Sequence, residues 1–177
     1  MDNHVHLLAT GAADGALSQM MQWLGARYTK GLNFQRGRTG TLWEGRFHSS
    51  AITSERYFLI CQRYIELNPV RAGIVRDPAE FAWSSYRHNA FGVRDPVLLE
   101  NEIYLRLGPS GPARQGAYRG LFGTPLEESE LAAVRLSIHL GRPLADADRA
   151  ISTRRRGRPR KNMPETIGPE QQSSIQL

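Results

Sequence analysis

The chain has a single cysteine, Cys61, among its 177 residues, so it can form neither an internal disulfide nor a zinc site built from several thiolates. It also lacks long apolar runs. None approaches the roughly 18 residues a membrane-spanning helix needs, which argues against a membrane partner. Lysine is scarce, with Lys30 and Lys161 standing against 21 arginines. No glycine-rich phosphate loop occurs, so nothing points to nucleotide hydrolysis. The opening Met1-Asp2-Asn3-His4 lacks the basic region and apolar stretch of a secretory signal, and a reducing, cytoplasmic setting is expected.

What the chain has is positive charge, unevenly spread. The formal net charge is +6. Residues 27–76 hold nine basic side chains against Glu44, Glu55 and Glu66, and residues 154–161 hold six with no acid. The remaining stretches are all slightly acidic. Two basic segments on an acidic background point to a polyanion, nucleic acid first among them. Arginine suits that role because its planar fork matches phosphate oxygens and base edges.

Periodicity divides the chain. His4–Ala9 is short and apolar-rich and reads as a strand ending at Thr10-Gly11. Leu17, Met20, Met21, Leu24 and Tyr28 recur at helical spacing from Asp14, with Gly31 to Asn33 closing that helix. A basic loop over 34–41 leads to an extended stretch over 42–52. Ser54 opens a second helix carrying Tyr57, Phe58, Ile60, Cys61, Tyr64 and Ile65, and Pro69 is expected to stop it. Helices are expected over 99–107, 113–122 and 127–140, the last opening with Glu127, Glu128 and Glu130. From about residue 152 the chain loses apolar periodicity, which predicts a disordered basic tail.

Four constellations bear chemistry. His4 and His6 lie two apart, so on a strand both imidazoles face one side, roughly 6.6 Å apart at ~3.3 Å per residue. Such a pair can converge on one ion and leave most of its coordination sphere open; two hydrogen-bonded surface histidines are the plainer alternative. Tyr64 and Asn68 share a helix face. A phenol attacks phosphorus only when neighbouring charge stabilises the transition state, and Tyr64 also continues an apolar stripe, as a core residue would. Arg36, Arg38, Arg46, His48 and Arg71 are candidates to grip a DNA backbone, with Trp43 and Phe47 able either to stack on bases or to pack in a core. In the tail, Arg156, Arg158 and Arg160 surround Gly157 and Pro159. That pattern resembles an AT-hook, which enters the minor groove of A·T-rich duplex; plain phosphate binding is the alternative.

Met1-Asp2-Asn3-His4-Val5-His6-Leu7-Leu8 resembles the His-hydrophobic-His strand of single-tyrosine transposases. Gly40-Thr41-Leu42-Trp43-Glu44-Gly45-Arg46-Phe47, Arg63-Tyr64-Ile65-Glu66-Leu67-Asn68-Pro69-Val70-Arg71-Ala72-Gly73 and Trp83-Ser84-Ser85-Tyr86 follow in the order and spacing of the REP-associated branch. The resemblance implies an α+β fold, an antiparallel sheet with packed helices around a ferredoxin-like core. It also implies an enzyme that cleaves and rejoins single-stranded DNA at hairpins. Tyr64 would be the nucleophile of a 5′-phosphotyrosine intermediate. His4, His6 and Asn68 would hold a divalent metal, Mg or Mn. A homodimer acting on single-stranded or hairpin DNA is the expected assembly.

The expected organisation is a partial transposase domain over 1–107, a helical extension over 108–151 and the tail over 152–177. Family members carry a strand-helix-strand portion ahead of the metal strand that this sequence lacks. The sheet is therefore expected to be N-terminally incomplete, leaving the His4–His6 strand short of neighbours. The rival expectations are an inactive remnant that only binds DNA, and a regulator using 113–122 and 127–140 as a helix-turn-helix.

Overall fold

A computed structural model describes residues 4–144. The tail candidates Arg156, Arg158 and Arg160 lie outside the described residues. The architecture is helical and corrects the expected α+β class: among the described residues there is no strand and no sheet. The described residues form seven α-helices in the order α1 Ala16–Arg36, α2 Glu55–Glu66, α3 Asn68–Arg71, α4 Tyr86–Phe91, α5 Glu102–Leu105, α6 Gly111–Gly120 and α7 Glu128–Leu140, with 3-10 turns at Pro78–Glu80 and Leu121–Gly123.

The reason for the missing sheet lies in the pairing. A strand needs a neighbour to take its backbone groups, and no described segment aligns with residues 4–9, which run as irregular chain with Val5, Leu7 and Leu8 exposed. The stretch over 42–52 is likewise not a strand. Its one ladder contact is a parallel bridge from Ile52 to Leu144, flanked by Leu144 N–H donating to the Ala51 carbonyl at 2.8 Å and Thr53 N–H to the Leu144 carbonyl at 3.0 Å. The Ser50 hydroxyl adds a bond to the Arg142 carbonyl at 2.6 Å. Earlier in the stretch, Trp43 is turned aside onto α1, where its Nε1–H donates to the Gly25 carbonyl at 3.2 Å.

Local chemistry sets the helix bounds. α1 passes through Gly31 and Asn33 and ends at Arg36. Gly37, at φ 59°, adopts the left-handed cap there, and the Arg38 N–H returns to the Asn33 carbonyl at 2.9 Å. Ser54 caps α2 by accepting from the Tyr57 N–H. Pro69 does not end helical structure. Leu67 keeps right-handed dihedrals and a further turn, α3, begins with proline in its first positions, where a missing N–H costs nothing. α4 is a helix that the apolar pattern did not disclose, and α5 is much shorter than the 99–107 expected. A Glu127–Glu130 capping box opens α7.

Two cores flank α2. Ile60, Cys61 and Tyr64 pack with Leu131 and Val134 of α7 and with Leu144. Tyr86, Ala90, Tyr104 and Tyr118 form the second cluster, from α4, α5 and α6. Glu66, wholly buried, ties α2 to that second cluster. Its carboxylate accepts from Ser85 Oγ at 2.5 Å, Tyr118 Oη at 2.7 Å and Asn89 Nδ2 at 3.3 Å. α1 has no buried residue, and Trp23, Tyr28 and Phe34 on it are largely exposed. Among the described residues no helix is long and apolar enough to cross a membrane.

Candidate functional site

Residues 4–6 and the last turn of α2 meet. The His4 and His6 rings stand edge to face with centroids 4.9 Å apart and planes at 86°. His6 in turn meets the Tyr64 ring at 5.7 Å and 79°. The Arg71 guanidinium carbon lies 4.4 Å from the centre of the Tyr64 ring, and Arg71 Nη2 donates to the Tyr64 carbonyl at 2.7 Å. Two histidines, a phenol and a guanidinium thus share one site, drawn from a non-helical segment, α2 and α3. His4 is exposed and His6 half-buried, while Tyr64 is 8% exposed and belongs to the first core.

The electrostatics follow from that packing. Burial holds the His6 imidazole below its ordinary pKa, and the neighbouring His4 and Arg71 push it the same way. A neutral ring is the ligand and proton-accepting form. Burial also lowers Arg71, opposed by the charge of Tyr64 and of Glu128 on α7, while Arg135 adds to the lowering. Cys61, one turn before Tyr64, is pushed up to about 11 by burial and is a core thiol, not a second nucleophile.

The other sequence candidates fall in three places. Asn68 opens α3 one turn beyond Tyr64, half-buried. Arg36 at the end of α1, and Arg38, Arg46 and His48 in the following irregular chain, are all exposed. None takes part in the three ion pairs found among the described residues, which belong to Arg56, Arg106 and Arg135. Trp43 and Phe47 are each somewhat less than half exposed. Trp43 packs on Tyr28 of α1 at 5.8 Å, and a Cβ at Gly25 would meet its Nε1 at 3.3 Å. Sequence reasoning missed two features: the Glu66 anchor, and the return of Arg71 over the tyrosine. Their signal was a carboxylate inside an apolar helix and a proline that permits one further turn.

Residues 1–68 match the family model described as Transposase IS200 like. The matched span contains the histidine pair and Tyr64 and ends at Asn68. This part of the chain is thus similar to the IS200-like transposases. No curated protein and no solved structure matches the chain. That span holds His4, His6 and Tyr64, whereas Arg71 and α4 to α7 lie beyond it.

Proposed function

We propose that the chain is a REP-associated single-tyrosine transposase that cleaves and rejoins single-stranded DNA at hairpins, acting in the cytoplasm. The observation that carries this reading is the contact of the His6 ring with the Tyr64 ring, His4 standing beside it. Tyr64 Oη attacks the scissile phosphorus, the P–O bond to the 3′ oxygen breaks, and a 5′-phosphotyrosine and a free 3′-hydroxyl result. The phenol gives up its proton and the departing 3′ oxygen takes one. The covalent link keeps the phosphodiester energy, so a second 3′-hydroxyl can reverse the step without a nucleotide cofactor.

In this reading the site takes a divalent ion, Mg or Mn, of which imidazole ligands suit Mn the better. The two imidazoles are close enough to face one ion, and burial favours the neutral, ligating form of His6. Among the described residues no three His, Cys, Asp or Glu side chains converge. By the resemblance His4 and His6, with the amide oxygen of Asn68, would hold the ion, and substrate oxygens or water would complete its shell. When bound, the ion would polarise the scissile phosphate.

Arg36, Arg38, Arg46 and His48 are exposed where backbone phosphates could reach them, and Arg156, Arg158 and Arg160 are assigned to A·T-rich duplex. The uncovered apolar residues of α1 support a homodimer. The depth of Tyr64 favours one second reading, a remnant that binds DNA without cutting it. A hairpin oligonucleotide labelled at either end separates the two. The transposase yields a protein adduct on the 3′-labelled fragment, through its 5′ phosphate, and a free 3′-hydroxyl on the 5′-labelled one, both lost on chelation and in His4→Ala with His6→Ala; the remnant gives a gel shift and no cut. Cleavage that persists under chelation contradicts the metal assignment.

A further inference from the structure

Nothing in the transposase reading requires an arginine to lie across the nucleophile, yet the chain is built to bring one there. Leu67, at φ −84° and ψ −7°, joins α2 to α3 without leaving the helical region. Pro69 is buried at the start of α3, and Gly73, at φ 69°, closes the turn, its N–H donating to the Val70 carbonyl at 3.0 Å. This short helix carries residue 71 back over residue 64. The guanidinium carbon then lies over the ring, 4.4 Å from its centre, and Nη2 donates to the Tyr64 carbonyl at 2.7 Å. An arginine that only met phosphate would not need to make both contacts with its own chain. Arg71 keeps enough exposure for the site to stay open.

We propose that Arg71 is the positioning residue of the tyrosine, clamping the Tyr64 ring so that it stays against His6. The proposal rests on Tyr64 as nucleophile and deepens that reading. A lysine in its place brings charge but no planar face and no fork, so the clamp predicts that Arg71→Lys fails almost as badly as Arg71→Gln. Backbone gripping alone predicts that lysine serves nearly as well.

The test uses the full chain, a 3′-labelled hairpin oligonucleotide and Mn²⁺, with covalent adduct followed in single turnover. At saturating DNA the adduct rate is expected to fall about 100-fold in Arg71→Gln and at least about 10-fold in Arg71→Lys, as a displaced reacting group would cause. The DNA dissociation constant is expected to stay within about threefold. The opposite split overturns the proposal: an unchanged saturating rate, with weaker binding and a salt slope shallower by about one.

A second measurement needs no activity. In protein carrying isotope-labelled tyrosine, the Tyr64 ring resonances should shift and lose their restricted environment in both variants. Unchanged resonances overturn the clamp. If the unsubstituted protein forms no adduct, the transposase reading fails, while the ring resonances still decide whether Arg71 holds Tyr64. Should Arg71→Gln not fold, Arg71→Lys supports both readouts.

Discussion

Replacing Tyr118 by phenylalanine removes one hydroxyl from the centre of the second core and leaves the ring packed against Tyr86, Tyr104 and Phe122. That hydroxyl donates to Glu66 at 2.7 Å, and both side chains are wholly buried. Water cannot replace the lost donor, although Ser85 and Asn89 continue to bond the carboxylate. A hydrogen bond to a buried carboxyl contributes about 1.5–3 kcal/mol when the carboxyl is charged and about 1 when it is neutral. The expected loss is therefore roughly 2 kcal/mol, or about 4–8 °C in Tm for a chain of this size. In a Glu66→Gln background the same substitution should cost about 1 kcal/mol, because the acceptor is neutral. Urea unfolding of the four proteins supplies both numbers. Equal costs of about 1 kcal/mol in the two backgrounds would mean that Glu66 is protonated at the pH of the measurement, and a loss below about 0.3 kcal/mol would refute the network.

The same carboxyl gives a signed pH dependence. Burial raises the Glu66 pKa above its usual value, against the pull of its hydrogen-bond donors Ser85, Tyr118, Asn89 and Gln62. The folded protein then keeps the proton to higher pH than the unfolded chain. The stability Glu66 contributes is full below the unfolded value near 4.5 and is lost as pH rises through the folded one. Glu66→Gln should thus gain on the unsubstituted protein as pH increases, by at most about 1.4 kcal/mol per pH unit. A gain in the other direction would mean that the donors outweigh burial.

Three further outcomes follow from the packing. Ile60→Ala, at a position 4% exposed in the α2–α7 core, should cost about 2–5 kcal/mol in urea unfolding. Gly37→Ala meets no atom within 4 Å but forces alanine to φ 59°, so a loss of about 1–2 kcal/mol with no change in packing is expected. Cys61 should resist a thiol reagent at pH 8 in the folded protein and react freely once denaturant is added, since its thiol is raised to about 11.

His4, His6 and Tyr64 were singled out in the sequence, and the structure brings their rings into contact without the strand that was supposed to align the histidines. The lie of Arg71 across Tyr64 was not legible there, because it depends on the further turn after Pro69. Apolar periodicity also found α1, α2 and α7, each long enough for several helical turns to register. It overreached at residues 4–9 and 42–52, because an apolar pattern tells which residues want burial and says nothing about whether an edge exists to pair with. It missed α4, whose six residues span too few turns to show a period. It also missed Glu66, since a buried carboxylate is legible only with the Ser85, Asn89 and Tyr118 that satisfy it, and those arrive 19 to 52 residues later.

The most direct measurement of the central claim is mass spectrometry of the protein trapped on a cleaved hairpin oligonucleotide with Mn²⁺ and digested with trypsin. The account predicts a 5′-phosphonucleotide on Tyr64, within the peptide Tyr64–Arg71 or the longer one beginning at Tyr57, and none in Tyr64→Phe. A nucleotide on any other side chain, or an undiminished adduct in Tyr64→Phe, would contradict it.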